Sequence, residues 1–114
     1  KDNTIVGTVA AIFGEEKTYK NIYNGNWLSD KEHLTLHRLA ISSTYRGLGL
    51  SYIILGKIEE LCINKNIYSI KADTHKGNIP MQNFLRKAGF QYCGIIYLEN
   101  GDKRIAFEKI IDKQ

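Results

Sequence analysis

The chain has 114 residues, a formal net charge of +4 and a pI near 9.1. That length suits one domain, long enough for a core but short for an enzyme that builds all its own substrate walls. Its 43% hydrophobic and 25% charged residues are an ordinary globular balance, and seven Tyr and four Phe argue against disorder. The basic residues Lys17, Lys31, Lys57, Lys71, Lys87 and Lys109 are scattered, with no dense run, so no nucleic-acid partner is expected. No apolar run approaches the ~20 residues that span a bilayer, and no signal peptide is visible. The expectation is a cytoplasmic protein without a membrane partner.

Residues 4–13 (TIVGTVAAIF) are β-branched and apolar and read as a buried strand, with Lys1, Asp2 and Asn3 as the tail of a tight turn. Residues 15–29 mix Tyr, Asn, Gly and Trp without a period and read as an irregular excursion. Residues 34–42 (LTLHRLAIS) are the next strand. Strict alternation would put Leu34, Leu36, Arg38 and Ala40 on one face and Thr35, His37, Leu39 and Ile41 on the other. A helix follows from about Leu48 to Asn66, with Leu50, Ile54, Ile58, Leu61 and Cys62 as its apolar stripe. Residues 68–73 (YSIKAD) are a short strand. A loop leads to Asn78 as a helix cap and Pro80 in the first turn, and Gly89 stops that helix. Residues 90–97 and 104–111 are two strands joined by a turn at Asn100 and Gly101. The order makes an α+β fold with a mixed sheet and helices against it. Cys62 and Cys93 have no metal-ligand spacing and read as buried reduced thiols.

The segment Arg46-Gly47-Leu48-Gly49-Leu50-Ser51 stands between a strand and a helix. The first turn of a helix has free backbone N–H groups and the positive end of the dipole. Glycines remove Cβ atoms that would block a phosphate, and Arg46 adds a charge at the mouth. The alternative is a glycine-rich turn that only reverses the chain. The segment is not a P-loop, because no Gly-Lys-Ser/Thr follows, and not a dinucleotide fingerprint, because the third glycine is missing.

Arg46-x-x-Gly49-x-Ser51 resembles the R/Q-x-x-G-x-G/A signature of the GNAT N-acetyltransferase superfamily, with Ser51 in place of the usual small last residue. His37-Arg38-Leu39-Ala40-Ile41 resembles the strand that precedes this signature. Asn78-x-Pro80-Met81-x-x-Phe84-Leu85-x-x-x-Gly89-Phe90 resembles the later helix and its G-F turn. The resemblance covers about residues 5–109. It implies a mostly antiparallel mixed central sheet flanked by helices and a single N-acetyltransferase domain over residues 1–114. It also implies acetyl-CoA as the acetyl donor, with no metal. The pyrophosphate would lie on the N–H groups of Gly47, Leu48, Gly49, Leu50 and Ser51, beside Arg46. Leu39, Ala40 and Ile41 would offer backbone groups to the pantetheine arm where the two middle strands part. Asn78 would bond the cofactor from the other side, and Phe84 and Leu85 would pack beside the thioester. The acceptor would be an amine of a small molecule or peptide.

Acetyl transfer needs a neutral amine, a donor for the acetyl oxygen and a proton for the leaving thiolate. In similar enzymes a backbone N–H of the strand before the loop is the donor, here that of Leu39 or Ile41. His37, on that strand and with a suitable ordinary pKa, is the candidate base; the alternative is a His bonded within the sheet. The usual acid is a Tyr four residues before the Gly, where this chain has Leu85. Tyr92 and Tyr97 are unplaced candidates for that role. A thiol of pKa about 8.5 can also leave unaided. Asp73 reads as holding the loop before Asn78 or as a strand-end cap. His33 and His75 read as surface residues. Trp27, Tyr19 and Tyr23 either line an acceptor pocket or cover the core.

Relatives of this kind usually carry a strand, helices and a further strand ahead of Thr4, so an N-terminally truncated fold is expected. Strand 4–13 would then have an open edge, on which a second copy could pair to form a homodimer. Two other readings remain. One is a CoA-binding remnant without turnover, favoured by Leu85. The other is a basic nucleic-acid-binding domain, disfavoured by the lack of a stacking aromatic–basic motif.

Overall fold

The apolar residues sort into two layers on a five-stranded sheet. The structure, a computed structural model, describes residues 7–13, 17–30, 32–41 and 48–111. The strands are β1 (Gly7–Phe13), β2 (Leu34–Ile41), β3 (Ser69–Thr74), β4 (Gln91–Tyr97) and β5 (Lys103–Ile110). The helices are α1 (Leu48–Asn64) and α2 (Ile79–Lys87), and a short 3₁₀ turn spans Lys17–Tyr19. The sheet order is β1-β2-β3-β5-β4, and only β2 and β3 pair parallel. This is the expected α+β fold with a mixed, mostly antiparallel sheet.

One face carries the helices. Leu34, Leu36, Ile70, Ala72 and Phe107 of the sheet meet Leu55, Ile58 and Cys62 of α1 and Met81, Phe84 and Leu85 of α2. The stripe of α1 differs from the expected one. Leu55 is buried, while Leu61 is 51% exposed. Leu55, Ile58 and Cys62 follow i, i+3, i+7 and form the inner seam, which turns Leu61 outward. Lys65 and Asn66 end the helix, as their types suggest. Asn66 takes φ 60°, and the N–H groups of Asn66 and Ile67 donate to the carbonyls of Ile63 and Cys62.

The opposite face is covered by residues 17–30. Tyr19, Ile96 and Ala106 form a second cluster, with Ile22, Trp27 and Leu98 against it. This strap is fixed by Glu108, which is wholly buried. Its carboxylate accepts from the N–H groups of Leu28 (2.7 Å) and Ser29 (3.3 Å), the Ser29 hydroxyl (2.8 Å) and the Ser69 hydroxyl (2.6 Å). Lys71, paired with Glu108 across the sheet, lies 4.5 Å from the Trp27 ring centre. Burial lowers the pKa of Lys71, and the Glu108 charge opposes that shift. The strap also touches the outer edge of β4, where Tyr23 and Ile95 exchange backbone hydrogen bonds. Gly94 permits this approach: a Cβ there would stand 2.7 Å from the Tyr23 carbonyl.

β1 is the terminal strand on the other side, and among the described residues no strand lies beyond it. Among the described residues, no helix is long and apolar enough to cross a membrane.

Candidate active site

Two middle strands that pair for only part of their length create the site. β2 and β3 pair at Leu34–Ile70, Thr35–Lys71 and Leu36–Ala72, and then stop. β2 continues to Ile41 and β3 to Thr74 without further pairing between them. Within β2 the pairing to β1 slips between His37 and Ala40: three steps on β2 match two on β1. An extra residue of this kind bends a strand and raises its twist. The strict alternation expected along β2 therefore does not run through it.

A cavity of about 320 Å³ opens at the place where the strands part. Its described lining is Leu36, Ala72, Asp73, Thr74, His75, Asn78, Met81, Leu85 and Arg104. Asn78 reaches it as the cap of α2. Its Oδ1 accepts from the Met81 N–H at 3.2 Å, which leaves the amide NH₂ free to donate. Leu85 reaches it from the next turns of α2. Phe84, one residue earlier, points into the core against Tyr52, with ring centres 4.8 Å apart, and does not line the cavity.

Asp73 plays a different part from the one its position suggested. The Tyr19 hydroxyl donates to its Oδ2 at 2.7 Å, and Arg104 Nη1 lies 3.4 Å from its Oδ1. The loop before Asn78 is held instead by Gln82, which donates to the Lys76 carbonyl at 2.6 Å. His75 accepts the Gly77 N–H on Nδ1 and is exposed, as expected. His33 is not a surface residue: it is 8% exposed and stacks on Tyr19 at 6.3 Å. The Tyr19 and Trp27 rings, 5.0 Å apart, cover the core, and the Trp27 indole N–H donates to the Tyr19 carbonyl. Tyr23 is half-exposed and packs edge-on to Tyr97. Neither Tyr97 nor Tyr92 lines the cavity.

The remaining expected residues are placed by their backbone or not at all. His37, Leu39, Ala40 and Ile41 lie on β2 beyond its last pairing with β3. Leu48, Gly49, Leu50 and Ser51 form the first turn of α1, whose N–H groups have no carbonyl partner within the helix. Arg46 and Gly47 lie outside the described residues. Sequence reasoning missed Arg104 as a wall residue. Its signal was weak, a single arginine opening the last strand. Among the described residues, no group of three or more His, Cys, Asp or Glu could hold a metal ion.

A mixed sheet with parted middle strands, a helix starting just past one of them and a capped helix opposite is an acyltransferase arrangement. The acetyltransferase (GNAT) family model matches residues 1–90. The chain belongs to that family. It is 39% identical to a GNAT-family acetyltransferase structure from Streptococcus agalactiae 2603, at a TM-score of 0.82. That match covers 99% of this chain and 63% of the other. A streptothricin acetyltransferase of Escherichia coli is 24% identical over 85 residues, 75% of this chain and 47% of that protein. A candidate streptothricin acetyltransferase from Bacillus anthracis str. Ames, solved with acetyl coenzyme A, shares the fold at a TM-score of 0.61. It is 21% identical, over 70% of this chain and 49% of that one. The chain thus spans about half to two thirds of the length of these relatives.

Proposed function

We propose that the protein transfers an acetyl group from acetyl-CoA to an amine of a small molecule or peptide, its residues forming part of one N-acetyltransferase domain. The observation that carries this reading is the cavity at the parting of β2 and β3, reached by both Asn78 and Leu85. The chain's residues fit the cofactor. The β2 backbone beyond Leu36, paired with β1 but not with β3, can bond an extended amide-bearing arm on its open side, as a third strand would. The Asn78 amide donates from across the gap, and Leu85 and Met81 give an apolar wall. The first turn of α1, with Arg46 and Gly47 before it, would take the pyrophosphate. Phe84, buried in the core against Tyr52, backs this wall.

When bound, acetyl-CoA supplies an activated thioester: the C–N bond forms as the C–S bond breaks, and CoA departs as the thiolate, its charge balanced by the proton the amine gives up. His37 is assigned as the base that receives the amine proton. The backbone N–H of Leu39 or Ile41 is assigned as donor to the acetyl oxygen. Leu85 has no proton to give, so the thiolate leaves toward solvent.

The test is calorimetric binding of acetyl-CoA to the wild-type protein and to Gly49→Trp. Micromolar binding that weakens at least ten-fold in the variant supports the assignment. Equal affinity in both overturns the placement at α1. A protein that binds acetyl-CoA but releases no thiol with any amine would be a binding remnant.

A further inference from the structure

The cavity wall contains one carboxylate among its described residues, Asp73, and the chain spends a distant tyrosine on it. Tyr19 lies 54 residues earlier, in the strap over the opposite face of the sheet. It is 4% exposed, and its hydroxyl donates to Asp73 Oδ2 at 2.7 Å. The strap that carries it is pinned independently: Trp27 bonds the Tyr19 carbonyl, and Leu28 and Ser29 are bound to buried Glu108. Arg104 takes the other oxygen only at 3.4 Å, a long contact. A carboxylate has about four acceptor sites, so Asp73 keeps free capacity toward the cavity it lines.

We propose that Tyr19 is a positioning residue for acceptor binding: its hydroxyl orients the Asp73 carboxylate, which receives the ammonium group of the incoming amine. This rests on the acetyl-transfer reading above. A tyrosine that merely covered the core would serve equally well with its hydroxyl on any buried acceptor. Here it is spent on the one described carboxylate of the cavity wall. Among the described residues, the other charged or titratable groups around Asp73 are Arg104 from β5, His75 in the following loop and Lys71 two residues earlier on β3. His33 stacks on Tyr19.

The sign of the effect follows from the hydrogen bond. Without that donor the Asp73 carboxylate is free to turn away from the acceptor, so Tyr19→Phe weakens acceptor binding. The experiment uses the full chain with saturating acetyl-CoA, and streptothricin and a lysine-containing peptide as acceptors. It measures wild type, Tyr19→Phe, Asp73→Asn and the double variant. Tyr19→Phe is expected to raise the acceptor KM several-fold, change kcat much less and leave acetyl-CoA affinity within two-fold. In the Asp73→Asn background the Tyr19→Phe effect should vanish. An unchanged KM in Tyr19→Phe, or an equal effect with and without Asp73, overturns the proposal. The two ideas fail differently. Loss of acetyl-CoA binding or turnover in the wild type overturns the transfer reading and the acceptor role with it. Normal wild-type turnover with a silent Tyr19→Phe overturns the positioning role alone.

Discussion

Cys62 shows what burial alone does to a side chain. It is fully enclosed between α1 and the sheet, and desolvation, aided by the Glu59 charge, raises its thiol from 9.0 to about 11. A raised thiol pKa favours the neutral form in the folded state. Its contribution is whole below pH 9 and is lost as pH rises from 9 toward about 11. Stability measured by denaturant should therefore fall across that window, and less steeply in Cys62→Ala. Alkylation of Cys62 near neutral pH should be slow unless the protein unfolds. The thiol of Cys93 is raised too, again mainly by burial. Glu108 is the opposite kind of buried group, a carboxylate satisfied by four hydrogen bonds. Glu108→Ala should cost about 3–5 kcal/mol, because it strands the N–H groups of Leu28 and Ser29 and the charge of Lys71. Thermal unfolding checks this; a loss under about 1 kcal/mol would contradict it. At this scale the sequence was a partial guide. The buried thiols were legible from their apolar surroundings. His33, Glu108 and the partners of Asp73 were not, because each depends on contacts made across dozens of residues.

The elements were more legible, because local rules set their ends. α2 begins where Asn78 caps the Met81 N–H and Pro80 enters the first turn. It ends where Gly89 takes φ 101°. There the N–H groups of Gly89 and Phe90 donate to the carbonyls of Arg86 and Leu85. Asn78→Ala should lower stability by about 1 kcal/mol, and Gly89→Ala by about the same amount. Chemical denaturation tests both. The account expects Asn78→Ala, but not Gly89→Ala, to weaken acetyl-CoA binding beyond its effect on folding. The turn after β4 is a three-residue type, with Leu98 bonded to Gly101 and Asp102 and Gly101 at φ 91°. α1 was the harder case. Its outer face also carries Ile53 and Leu61, so apolar spacing alone did not single out the inner seam. The slip in β2 has no sequence signal, since bulges follow from pairing with β1 rather than from residue type.

For the whole molecule, the mixed sheet and the element order follow from the alternation of strand-like and helix-like segments. Only the three motifs together tied that order to a family, whose model matches residues 1–90. What no periodicity reveals is the strap, residues 17–30, folding over the second sheet face and carrying Tyr19 to Asp73. That step ties the strap to the polar wall that β3 and β5 give the cavity, across from the side built by α2 and β2. The measurement that tests this account most directly is thiol release from acetyl-CoA by the full chain, with and without an amine panel of streptothricin, a lysine peptide and spermidine. The account predicts release that depends on the amine, yields one acetylated product per thiol and drops sharply in Asp73→Asn. Absence of acetyl-CoA binding, or thiol release indifferent to every amine and to Asp73, would contradict it.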